Sequence, residues 1–221
     1  MSVEKMAMNL SIQVLLVALV VLVSHVLAQD GRIELPEDAF AFDIFNADVG
    51  STGEGGTIQA LDSRNTPGLE GMGISQSLFR VQPGAINSPH LHPRATELLF
   101  VIQGVIRVCF VEENGGNLFC NTLGAGMSTV FPLGHIHFQQ NIGTTEAVYN
   151  SVLNSDNPGV TSIANRLFQF NNDVLSSAFG ISATDIATLR DIIPANPAVQ
   201  GPQPLETTFD PTEFNETLPF L

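Results

Sequence analysis

With 221 residues, 44% of them hydrophobic and 14% charged, the chain has the composition of one core-forming domain behind a short leader, which excludes a disordered polymer. Eight basic residues stand against 22 acidic ones, a net charge of −14, and the arginines are scattered. That balance excludes a nucleic-acid binder that works by neutralising phosphates. Four of the five histidines fall in two short windows, His90/His92 and His135/His137.

The chain opens with Lys5, its only lysine, and then an unbroken apolar run over residues 14–23. Ten apolar residues are too few to cross a bilayer core of ~30 Å as a helix. Val26-Leu27-Ala28 follows, with residues of the size a signal peptidase reads. The expectation is a secretory signal over residues 1–28, cleaved near Ala28, with an uncleaved anchor as the alternative. The mature chain would then be extracellular, in a wall or matrix, with no membrane attachment. Residues 29–73 read as an N-terminal extension of loops with one or two short strands, Gly-rich around Gly50 to Gly56.

From residue 74 the character changes. Short apolar runs at 78–81, 98–102, 105–111, 118–123, 129–131 and 147–153 are broken by Gly, Pro and Asn. That rhythm predicts an all-β sandwich or barrel. Between two of the runs, Glu113-Asn114-Gly115-Gly116 signals a hairpin. A two-residue turn at Asn114-Gly115 sets Cys109 opposite Cys120 in a hydrogen-bonded pair. In an oxidising compartment the two can form a cross-strand disulfide, and buried thiols on one face are the alternative. After Asn157-Pro158-Gly159 the pattern turns helical. Asn172 or Asp173 can cap a helix that Gly180 stops, and Ser182 can cap residues 183–193 before Pro194. The domain is drawn as residues 74–195, followed by an extended tail over 196–221.

The histidine windows carry the chemistry. His90 and His92 are two apart on a strand, so both imidazoles point to one face. Glu97 opens the next strand after the Pro93-Arg94 bend and can turn toward the same spot. His137, after the Pro132-Leu133-Gly134 turn, offers a fourth donor from across the sheet. Three neutral imidazoles and a carboxylate suit a borderline divalent ion, Mn, Fe, Zn, Ni or Cu. Four protein donors also leave a coordination position or two for a small ligand. His135 can line the pocket or be an exposed turn residue. Arg94 can guide anions or be an exposed loop arginine.

The two windows resemble the paired motifs of the cupin superfamily, G-x5-H-x-H-x4-E-x6-G and G-x5-P-x-G-x2-H-x3-N. Gly84, His90, His92, Glu97, Gly104, Gly126, Pro132, Gly134, His137 and Asn141 fill every fixed position. The wording from His92 to Glu97 and from Ser151 to Gly159 is similar to that of germins, germin-like proteins and their spherulin relatives. The resemblance implies a β-jelly-roll barrel with short C-terminal α-helices, and a manganese ion held by His90, His92, Glu97 and His137. It also implies secretion and homo-oligomers, dimers or hexamers.

Three functions follow from that resemblance. Manganese superoxide dismutases and oxalate oxidases both occur in the family, so the partner would be a small anion or a dioxygen species. The substrate-pocket candidates are Asn87, Ser77 and Asn141, with shaping the loop as the alternative for Asn87 and fixing backbone as the alternative for Asn141. Two asparagines hold the substrate in the oxalate oxidases; one matches Asn87, but the other falls on Ser77, which weakens that reading. A secreted wall, matrix or spore-coat protein of structural or storage role is the non-enzymatic alternative. The sequon Asn215-Glu216-Thr217 is a candidate N-glycosylation site.

Overall fold

A computed structural model describes residues 37–47, 49–195 and 198–199. The signal segment, the sequon at Asn215 and most of the tail lie outside the described residues. Ten strands follow one another as β1 (Val49–Gly53), β2 (Gly56–Leu61), β3 (Ser75–Val81), β4 (Ile86–Leu91), β5 (Glu97–Gln103), β6 (Val105–Val111), β7 (Leu118–Gly124), β8 (Ser128–Phe131), β9 (Ile136–Asn141) and β10 (Ala147–Leu153). After them come β11 (Thr161–Ser162), α1 (Ile163–Leu167), α2 (Asn172–Phe179), α3 (Ala183–Ile192) and β12 (Ala198–Val199).

The strands form two antiparallel sheets. One has the order β1-β2-β3-β10-β5-β8, the other β11-β4-β9-β6-β7 with β12 also on β4. This is the expected all-β jelly-roll barrel with short C-terminal helices. The first sheet takes in β1 and β2, upstream of the boundary drawn at residue 74.

Alternation builds the core. In β5, Glu97, Leu99 and Val101 are buried while Leu98, Phe100 and Ile102 face outward. Leu99 and Val101 join Val81, Ile106, Val108 and Phe131 in one apolar cluster, the period-2 consequence of a pleated strand. Gly104 links β5 to β6 at φ +86°, and a Cβ there would meet Ala147 Cα at 2.8 Å. Only glycine fits that turn.

Two local expectations need correction. Cys109 and Cys120 do face each other across β6 and β7 and form a disulfide. However, Glu112 N–H donates to Asn117 C=O at 3.1 Å, which makes residues 113–116 a four-residue loop instead of a two-residue turn. The ladder phase shifts accordingly, and the cysteines occupy a non-hydrogen-bonded pair with Cα atoms 4.2 Å apart. That is the closer of the two pair types. The second correction concerns α2, whose N-cap is Asn171, not Asn172 or Asp173. Asn172 Oδ1 instead accepts from Arg190 Nη1 of α3 at 2.6 Å. Ser182 caps α3 as expected, its Oγ accepting from Asp185 N–H. No helix among the described residues is long and apolar enough to cross a membrane.

Candidate metal centre

Three strands bring the site together. β4 carries His90 with His92 just beyond its end, β5 begins at Glu97, and β9 carries His137 directly opposite His90. The β4–β9 register shifts between Asn87↔Gln139 and His90↔His137. This bulge at Ser88-Pro89 lets Asn87 and His90, an odd number of residues apart, both turn inward. It also gives Pro89 a strand position where no ladder donor is lost. Gly134, at φ +77°, makes the turn into β9, and its N–H reaches His92 C=O at 3.2 Å. The two histidine windows are thereby tied through backbone.

His90, His92, Glu97 and His137 each offer a ligand atom, and these atoms lie within 4.8 Å of one another. Glu97 Oε2 stands 3.0 Å from His92 Nε2 and 3.3 Å from His137 Nε2. Donors at right angles around an ion at ~2.1 Å are ~3 Å apart, so the spacing fits a shared ion. The imidazole tautomers fit as well. His90 Nδ1 meets Ser88 C=O at 2.8 Å, His92 Nδ1 meets Gly159 C=O at 2.6 Å, and His137 Nδ1 meets His135 C=O at 2.8 Å. A carbonyl only accepts, so each Nδ1 carries a proton, which leaves the Nε2 of each ring as the atom it can offer to an ion at the centre.

Electrostatics point the same way. Burial pushes the Glu97 carboxyl up, but the imidazoles of His137 and His92 outweigh it and hold the group below the usual carboxylate range. Burial, aided by His137, drives His90 down to about 3. Burial also opposes the charge on His92, yet its hydrogen bond to Glu97 prevails and raises its pKa. Without an ion, the hydrogen bond to Glu97 therefore favours a proton on His92. A divalent cation would take that proton's place.

The segment from Ser151 to Gly159 supports the ligands. Arg94 Nε donates to Asn157 C=O and Nη2 to Asn157 Oδ1, both at 2.8 Å. That pins the loop whose Gly159 carbonyl orients His92. Arg94 is thus a staple, not an anion guide. His135 is partly buried and acts through its backbone carbonyl, while its own Nδ1 meets Leu133 C=O. Asn141 is fully buried. Its Nδ2 donates to Val81 C=O and Thr145 C=O, and its Oδ1 accepts from Gly143 N–H, so it fixes loops and does not line the pocket. Ser77 and Asn87 do line a cavity of ≈ 730 Å³ with His90 and His92, and Arg64 and Asp62 share its wall. Asn87 Nδ2 donates to Gln139 Oε1 at 2.9 Å.

Sequence reasoning did not single out Ser151, Gln139 or the carbonyls of Ser88, His135 and Gly159. Ser151 had a signal, being a polar residue at inward parity inside an apolar run. The carbonyls had none, since every residue has one.

Comparison with known proteins places this arrangement. The cupin family profile matches residues 42–187. Spherulin-1A of Physarum polycephalum is 38% identical over 173 residues, 76% of this chain and 70% of that protein. Germin-like protein 5-1 of Oryza sativa subsp. japonica is 37% identical over 165 residues, 72% of this chain and 74% of that one. A solved structure of oxalate oxidase superposes with TM-score 0.66 and 32% identity, covering 72% of this chain and 84% of its own. The fold and the His₃Glu constellation are those of a cupin. Within that superfamily the chain belongs to the germin-like proteins and their spherulin relatives.

Proposed function

We propose that this protein is a secreted manganese-binding germin-like cupin with superoxide dismutase activity. One observation carries the reading: three imidazole nitrogens and one carboxylate oxygen converge beside an open cavity. When bound, manganese supplies the reversible one-electron exchange by which two superoxide anions and two protons become dioxygen and hydrogen peroxide. His90, His92, His137 and Glu97 are its ligands. The backbone carbonyls behind the three rings fix the donor atoms, so little reorganises when charge changes at the centre. Four protein donors leave room for a small anion entering past Ser77 and Asn87. Arg64 is the one arginine in the cavity lining and is paired with Asp62. With a net charge of −14, long-range steering of an anion is weak.

The likeness to an oxalate oxidase brings a second enzymatic reading, which two residues weaken. Ser77 is too short to replace a carboxamide donor, and Asn87 commits one N–H to Gln139. A non-enzymatic wall, matrix or spore-coat role draws support from the outward strip of Leu98, Phe100, Val130 and Val152. That strip suits association of copies into a homo-oligomer. In this reading residues 1–28 are a cleaved signal, residues 74–195 the main domain and Asn215 a glycosylation site.

The test is to purify the mature protein, measure its metals by elemental analysis, and assay superoxide dismutation and oxalate-dependent peroxide release side by side. Manganese with dismutation supports the proposal. Metal with neither activity favours the non-enzymatic role, and absence of any transition metal overturns both enzymatic readings.

A further inference from the structure

Glu97 has two carboxylate oxygens, and only Oε2 faces the imidazoles. The partner of the other comes from β10, a strand that carries none of the four ligands. Ser151 Oγ donates to Glu97 Oε1 at 2.5 Å, and the two residues are 1% and 2% exposed. The register explains the contact. Leu153 lies opposite Glu97 and Ser151 opposite Leu99, so Ser151 is a diagonal neighbour of Glu97 on the inward face. An ionised carboxylate can only accept, so the hydroxyl hydrogen points to Oε1.

We propose that Ser151 is a positioning residue that commits Glu97 to binding the metal through Oε2 alone, which keeps a coordination position open for a small anion. The inference rests on the metal-centre reading above. A carboxylate can bind an ion through one oxygen or chelate through both. Chelation here would swing Oε1 toward the ion and strip a buried hydroxyl of its acceptor, a cost that disfavours the turn. The short charge-assisted bond thus sets how many positions Glu97 takes.

Shape-matched variants isolate the hydroxyl. Ser151→Thr keeps it, Ser151→Val replaces it with a methyl group, and Ser151→Ala removes it without adding bulk. Each full-length mature protein is stripped of metal, reloaded with Mn(II) and examined by electron paramagnetic resonance, then titrated with azide as the anion probe. The Thr variant is expected to keep the wild-type spectrum and azide affinity. The Val and Ala variants should share an altered spectrum and bind azide about ten-fold more weakly. If all three match wild type in spectrum and azide affinity, the role of Ser151 is overturned while the metal centre stands. If wild-type protein takes up no Mn(II), the metal centre itself falls and this inference with it.

Discussion

Strands β5 and β10 each serve two interiors. On β5, Leu99 and Val101 enter the apolar cluster while Glu97, at the same parity, faces the imidazoles. On β10, Ala147 and Tyr149 join the cluster while Ser151 holds the carboxylate. The apolar part gains from removing area from water and is indifferent to direction. The polar part is favourable only where inward groups are paired, as His90, Glu97, Asn141 and Ser151 are; Gln139 Nε2 and Tyr149 OH are buried without a hydrogen-bond partner. So one backbone pattern yields a tolerant half and an exacting half, and the chemistry lies in the exacting one.

Mutations can break this contrast. The largest effect is expected from His90→Ala combined with His92→Ala, which should abolish stoichiometric metal binding while a folded β-rich protein remains, checked by elemental analysis and circular dichroism. Leu99→Ala should do the reverse. It should cost about 2–5 kcal/mol of stability in denaturant melts and leave the metal content of the folded fraction unchanged. Opening the Cys109–Cys120 disulfide with Cys109→Ser and Cys120→Ser should cost about 2–3 kcal/mol, since it releases a short loop. That loss too should leave the metal site intact.

The most gradual effect is one of pH on the metal-free protein. His90 is held down to about 3, so between 6.5 and that value the unfolded chain binds a proton that the folded chain refuses. Stability should therefore fall with acidification, with a slope of at most about 1.4 kcal/mol per pH unit from this group. The lowered pKa of Glu97 adds to the loss as pH falls below 4.5. His92 runs the other way. Its raised pKa contributes stability that is complete below 6.5 and lost as pH rises through the folded value. Thermal melting across pH should show an optimum between these flanks, and metal should flatten the alkaline one by replacing the proton on His92.

The apolar half was legible from patterning. The runs at 105–111 and 147–153 coincide with β6 and β10, and those at 78–81, 98–102, 118–123 and 129–131 fall inside β3, β5, β7 and β8. The strands β4 and β9 were not among those runs. Their inward residues, Asn87 and His90 on one and His137, Gln139 and Asn141 on the other, are polar, so hydrophobic alternation is silent where the ligands sit. Only motif spacing exposed them. What stayed hidden depends on register and backbone, such as the bulge at Ser88-Pro89, the loop that sets the disulfide's phase, and the carbonyls that orient each imidazole. Single-residue chemistry does not encode which carbonyl a ring will meet.

Four side chains from three strands converge on one candidate metal centre. Elemental analysis of the purified mature protein beside the His90→Ala, His92→Ala double variant tests it most directly. Close to one equivalent of manganese per chain is expected in the first and none in the second. Equal metal in both, or no transition metal in either, would contradict it.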